Sequence, residues 1–116
     1  MTPRTAHEKP VYVRLRETIT DRILSGQYRD GGSLPSVRAL AAEQGANPLT
    51  VAKAYQGFQD EGLVVVRRGV GMFVAEGARA RLTSSEREAF VAQEWPAIRA
   101  RMQQLGIDPV ELLERS

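Results

Sequence analysis

No cysteine occurs among the 116 residues, and histidine occurs once, at His7. Without thiols there is no disulfide and no thiolate metal site, and a cytoplasmic setting is the natural expectation. A single histidine cannot build a histidine-based triad or a two-histidine metal site. No apolar run approaches the roughly 18 to 20 residues that a membrane-spanning helix needs. The polar stretch Met1–Pro10 lacks the apolar core of a signal peptide, and residues 1–9 read as a disordered lead-in. A phosphate-cradling loop is missing as well, because Gly69-Val70-Gly71 lies between two apolar runs rather than ahead of a helix. The carboxylates are scattered over polar helix faces and read as solvated surface. Catalysis therefore has little to stand on, no cofactor or metal is expected, and the chain reads as a non-enzyme.

What is present is ordinary globular material, 42% hydrophobic and 26% charged, enough for one domain and a short appendage. The formal net charge is +2, with ten basic against eight acidic side chains before Gly77 and six against six after it. So small an excess proves nothing about nucleic acid; the placement of the charges must carry that argument.

Tyr12, Leu15, Ile19 and Ile23 recur at spacings of three and four, predicting a helix from about Val11 to Ser25 that stops at Gly26. Gln27 to Ser33 reads as a loop. Two short helices follow. Ser36 caps the first, Val37, Leu40 and Ala41 give it an apolar face, and Gly45 ends it. Asn47 caps the second, with Pro48 at the first helical position, where a missing N–H costs nothing. Val51, Ala54, Tyr55 and Phe58 form its buried stripe, and Gly62 closes it. Two helices so close, joined through a glycine, match a helix-turn-helix. Leu63–Arg67 and Met72–Val74 then read as a β-hairpin around Arg68-Gly69-Val70-Gly71, the position of a wing.

Residues 77–82 read as a linker, and Thr83 with Glu86 as a capping box opening a long helix. Along that helix Val91, Trp95, Ile98, Met102 and Leu105 make a heptad-like seam. Pro96 should kink or split it. Gly106 stops it, and Asp108-Pro109-Val110-Glu111 opens a last short helix. The expected fold is α+β, mainly α: a winged helix-turn-helix over residues 10–76, the linker, and a C-terminal helical dimerisation segment over residues 83–116. The seam residues are the dimerisation candidates; the alternative is that the stripe folds back onto its own winged helix.

With one face of the second helix buried, its opposite surface at the N-terminal end carries Asn47, Leu49, Thr50 and Lys53. A recognition helix enters the major groove by that end. Asn can read adenine, Thr can meet a phosphate or a thymine methyl, and Lys can pair with guanine or phosphate. Asn47 also has a purely capping reading, and Thr50 and Lys53 a purely solvated one. Arg38, in the first turn of the preceding helix beside its cap Ser36, can grip guanine with a two-pronged guanidinium, or form a surface ion pair with Glu43 or Asp60. Arg67 and Arg68 at the wing can contact phosphate or the minor groove, or remain a solvated turn.

The blocks Leu34-Pro35-Ser36-Val37-Arg38-Ala39-Leu40-Ala41, Asn47-Pro48-Leu49-Thr50-Val51-Ala52-Lys53-Ala54-Tyr55, Glu61-Gly62-Leu63-Val64 and Arg68-Gly69-Val70-Gly71-Met72-Phe73-Val74 resemble the GntR family of bacterial regulators. Pro10-Val11-Tyr12 and the tail of about forty residues resemble its YtrA-like branch. The resemblance covers about Pro10 to Ala75, and the tail more loosely. It implies a homodimer that binds an inverted-repeat operator in double-stranded DNA, usually to repress transcription. It also implies that Arg38 reads a base, that Asn47, Thr50 and Lys53 fall at recognition-helix positions, and that Gly69 is the wing-tip glycine approaching the minor groove; Ser36, Leu49, Arg67 and Arg68 join these as DNA-binding candidates. Two positions depart from the pattern. Leu49 stands where the YtrA-like branch commonly has a polar Asn or Arg, and Met72 replaces the usual wing Thr. The forty residues after the wing are too few for an independent ligand-holding core, and no effector is named by the sequence. The competing reading is a winged helix used for protein–protein contact. The Arg38, Asn47, Thr50, Lys53 cluster weighs against it, because such surfaces favour apolar and aromatic anchors.

Overall fold

The computed structural model describes residues 9–116, so His7 and all of the lead-in except Lys9 lie outside the described residues. It divides after Leu82 into two units.

In the first unit, helix α1 (Val11–Leu24) buries Leu15, Ile19 and Ile23, with Tyr12 packed at the margin. Helix α2 (Val37–Gln44) starts where the Ser36 hydroxyl oxygen accepts the Ala39 N–H at 3.0 Å. Gly45, at φ +61°, ends it and turns the chain into helix α3 (Pro48–Asp60). There Asn47 Oδ1 accepts the Leu49 N–H at 2.8 Å. Both caps satisfy N–H groups that a helix start leaves without an intrahelical partner. Val51, Ala54, Tyr55 and Phe58 bury one side of α3. Strands β1 (Val64–Arg67) and β2 (Gly71–Val74) pair antiparallel, Val64 opposite Val74 and Arg67 opposite Gly71.

Three features of this unit are not local in sequence. Gly31, Gly32 and Leu34 bond along β2: Gly31 N–H to the Val74 carbonyl at 2.8 Å, Val74 N–H to the Gly32 carbonyl at 2.9 Å, and Leu34 N–H to the Met72 carbonyl at 2.8 Å. The stretch expected to be a plain loop therefore lays a short third line beside the hairpin. Gly57 lies mid-helix in α3, where glycine costs up to about 1 kcal/mol against alanine. A Cβ there would sit 2.5 Å from an Arg16 guanidinium nitrogen and 3.1 Å from the Tyr12 hydroxyl. Its absence lets α1 side chains lie against α3.

The third feature corrects an expectation. Residues 77–82 are not a linker: helix α4 (Ala78–Ala89) begins there, with Ala78 and Leu82 in the core. Thr83 lies inside this helix, so the Thr83–Glu86 capping box does not form. The cap comes from Asp30, whose carboxylate accepts the Gly77 N–H at 2.9 Å and the Arg79 N–H at 3.1 Å. A carboxylate also suits the positive end of the helix dipole.

In the second unit, α4 runs on through a π-helical turn (Phe90–Glu94) into helix α5 (Trp95–Leu105). The Trp95 N–H donates to the Phe90 carbonyl, five residues back. In an unbroken α-helix the Pro96 ring would clash with the carbonyl of Ala92. The wider turn removes that conflict, so Pro96 shifts the hydrogen-bond register at the start of α5 rather than ending the helix. Gly106, at φ +68°, stops α5, and Asp108 accepts the Val110 N–H at 3.0 Å to open helix α6 (Pro109–Arg115).

Asp30→Ala should release both N–H groups at the start of α4 and lower stability by about 1 to 2 kcal/mol. Urea unfolding monitored by circular dichroism measures this; an unchanged midpoint would mean that the cap does not hold α4 to the core.

Candidate nucleic-acid interface

The first unit gathers most of the residues singled out from the sequence at the exposed start of α3. Tyr55 sets their position. Its buried hydroxyl donates to the Pro35 carbonyl at 2.7 Å, tying α3 to the residue just ahead of Ser36 and Arg38. Burial pushes its phenol well above the ordinary range, so it stays a neutral donor.

Arg38 is exposed and makes no hydrogen bond or ion pair to any described residue. Both acids that could have held it are engaged elsewhere. Glu43 bonds the Arg22 guanidinium and accepts the Gln44 amide at 2.6 Å. The Arg22 bond, then that of Gln44, holds its carboxyl below the usual range. Asp60 accepts the Gln56 amide at 2.8 Å. Lys53 is likewise exposed and unpaired among the described residues. Thr50 is half-buried, and Leu49 projects with 78% of its surface exposed. Ser36 and Asn47 each use a side-chain oxygen as a helix cap, which leaves the serine hydroxyl and the asparagine amide N–H groups their donor capacity.

The electrostatics of α3 run in one direction. Its first turn contains no acidic residue, so the positive end of its dipole is not neutralised from within. At its other end Arg81 donates to the Glu61 carbonyl at 2.8 Å and the Gly62 carbonyl at 3.2 Å. Arg16 clamps the Glu61 carboxylate through bonds of 3.0 and 2.8 Å while lying 4.1 Å over the Phe58 ring. Cations thus satisfy the carbonyl end, whereas at the start Asn47 meets the N–H groups of Leu49, Thr50 and Val51 and no carboxylate of the first turn offsets the positive end of the dipole.

At the wing, the Val70 N–H bonds the Arg67 carbonyl at 2.9 Å. Gly69 occupies the third position of that turn with φ +76°, and a Cβ there would meet nothing within 4 Å. Arg67 lies with its guanidinium 4.6 Å from the Phe73 ring centre, whereas Arg68 is exposed without a described partner. Val70 was not singled out from the sequence, yet it is 71% exposed beside Gly69.

The seam residues belong to the second unit, in which no residue is buried. Trp95 and Met102 are half-buried; Val91, Ile98 and Leu105 are exposed. Phe90 is exposed too, and the i to i+5 bond of the π turn brings it one turn from Trp95. A strict count of threes and fours misses it. Among the described residues no cluster of His, Cys, Asp or Glu could hold a metal ion, and no helix is long and apolar enough to cross a membrane.

A helix-turn-helix with a hairpin wing and an exposed basic face at the start of its second helix is the architecture of a DNA-binding transcription regulator. The family model for bacterial regulatory proteins of the gntR family matches residues 11–74, and the chain belongs to that family. It is 34% identical over 112 residues to the uncharacterised regulator YhcF of Bacillus subtilis, covering 91% of this chain and 86% of that one. It is 36% identical over 77 residues to the transcriptional repressor YtrA of the same organism, covering 66% and 59%, in keeping with the YtrA-like branch. A GntR family regulator from Listeria monocytogenes superposes with a TM-score of 0.71 at 26% identity, covering 93% of both chains. The AraR DNA-binding domain in complex with operator ORR3 superposes with a TM-score of 0.56 at 28% identity, covering 59% of this chain and 82% of that one.

Gly69→Val should cost about 1 to 2 kcal/mol, the strain of an L-residue at positive φ, while Gly69→Asn should cost far less because asparagine visits that region. Thermal unfolding of both variants measures the difference. Equal losses would place the strain elsewhere than at φ.

Proposed function

We propose that this protein represses transcription in the cytoplasm by binding an inverted-repeat operator as a homodimer. The observation that carries the reading is the pair Arg38 and Lys53, exposed and without a partner among the described residues beside the start of α3, while Glu43 and Asp60 are bonded to other residues. Arg38 offers two parallel N–H donors to the O6 and N7 of a guanine. Lys53, one turn into α3, meets phosphate or guanine. Asn47 and Ser36, with their oxygens committed to caps, serve as donors to the backbone, and Thr50 adds a hydroxyl. The wing brings Arg67 and Arg68 to the flanking groove, with Gly69 allowing close approach. The operator complex of the related AraR domain supports DNA as the partner.

The dimer reading rests on the apolar stripe of α5 and the π turn, uncovered within its own unit. A stripe facing its own symmetry mate gives an isologous contact, the kind two-fold dimers use. Joining two half-site binders raises affinity by roughly 10² to 10⁴ through effective concentration.

Gel shifts with the DNA flanking the protein's own coding region test the reading. Arg38→Ala should cost about 1 to 3 kcal/mol and relax specificity at one position per half-site. Lys53→Ala should weaken binding to all sequences alike and lower the salt slope by about one. Unchanged affinity in both folded variants would remove the interface from α2 and α3.

The double variant Ile98→Glu, Met102→Glu places like charges at the seam. It should sediment as a monomer whose winged helix remains folded and which binds a full operator little better than a half-site. A variant that stays dimeric, or a parent that is monomeric at micromolar concentration, would overturn the dimer.

A further inference from the structure

We propose that Leu49 is a specificity-determining residue that reads the 5-methyl group of a thymine in the major groove. The inference rests on the DNA reading above and adds the chemistry of one operator position. Leu49 has the largest fractional exposure, 78%, of the exposed large hydrophobic side chains. Its backbone is nonetheless fixed: it follows Pro48 at the start of α3, and its own N–H is the one that the Asn47 cap holds at 2.8 Å. A helical residue and the one four further on share a face, which places Leu49 on the same side as Lys53. Val51, Ala54, Tyr55 and Phe58, facing the core, leave that side to solvent.

An exposed leucine on a surface is by itself unremarkable in energy. Its neighbours give it meaning here. Asn47, Thr50 and Lys53 bring polar donor groups to its own stretch of helix, so it is not the centre of an apolar patch on which a protein partner could dock. In the major groove, hydrogen-bonding edges of the bases serve those donors, and the apolar group presented alongside them is the thymine methyl. Leucine has nothing to give a phosphate or a base edge by hydrogen bonding. Its contribution to binding can come only from removing apolar surface from water. A methyl group buried against it is worth about fourfold in affinity, from about 0.8 kcal/mol per apolar carbon. The same leucine set against the amino group of a cytosine or adenine would leave a polar group dry, which disfavours those bases at that position.

The test uses the whole protein and a duplex enriched from a random-sequence library by binding to it. Thymines of that duplex are replaced one at a time by deoxyuridine, which deletes the methyl and keeps every hydrogen-bonding group. The expected result is a thymine whose replacement weakens binding about fourfold, an effect that disappears in Leu49→Asn and persists in Thr50→Ser. Because Leu49 is exposed, Leu49→Asn should unfold at the parent temperature, and that is checked first. If replacement of no thymine weakens binding, or if the loss persists in Leu49→Asn, or if Thr50→Ser abolishes it instead, the assignment is overturned. Should no duplex be enriched at all, the DNA reading falls and this inference with it.

Discussion

The bond from the Tyr55 hydroxyl to the Pro35 carbonyl is the constraint around which the interface is arranged. Tyr55 is buried to 2% exposure, and a buried hydroxyl without a partner would cost several kcal/mol by the harsher transfer scales. The partner available is the carbonyl just before the α2 cap. Satisfying one side chain therefore fixes where α2 begins relative to α3, and with it the distance between Arg38 and the α3 start. Ser36 and Asn47 then set the first turn of each helix. Three short polar contacts, one buried and two exposed, place four side chains that come from two helices.

Several cations of this unit are engaged in holding its fold together, and others are not. Arg16, Arg22 and Arg81 each hold an acid, a phenol or a pair of carbonyls, and they line the side of the unit where helices meet or end. Arg16 is spread over Phe58 as well, so its stem and guanidinium act as packing material. The side chains of Arg38, Lys53 and Arg68 have no such partner among the described residues, and neither do those of the exposed Arg14 and Arg29. The near-neutral net charge of the chain conceals this division, because a paired arginine counts the same as an unpaired one. What sets Arg38 and Lys53 apart is their place beside the start of α3, not charge excess or the want of a partner alone.

Much of the first unit was legible from the sequence because its rules are local. A cap and the N–H it serves lie two or three residues apart, as for Ser36 with Ala39 and Asn47 with Leu49, and the apolar stripe of α3 repeats within one helix. What was missed depends on partners far along the chain. Asp30 caps a helix that starts nearly fifty residues later, so the start of α4 looked like a linker. The pairing of Gly31–Leu34 with β2 uses backbone groups alone, on residues whose types signal a loop. Gly57 had a readable sign, a glycine inside a strongly periodic helix, but its cause lies on α1. Arg38 was legible as a candidate and not as an unpaired one, since the capture of Glu43 by Arg22 appears only in three dimensions.

The second unit shows why its stripe needs the π turn. Proline at position 96 removes an N–H and crowds the carbonyl four residues back, so an ordinary helix would bend there and break the line of apolar residues. Inserting a wider turn just before the proline keeps the backbone helical while advancing the register by one. The Trp95 N–H thereby bonds the Phe90 carbonyl, and Ile98, Met102 and Leu105 follow Trp95 at spacings of three and four. With the exposed Phe90 near its N-terminal end, the second unit carries more apolar surface than the seam read from the sequence. Aromatic side chains supply large apolar area with few rotamers to lose. Such area left facing water is the feature of the second unit that its own residues do not cover.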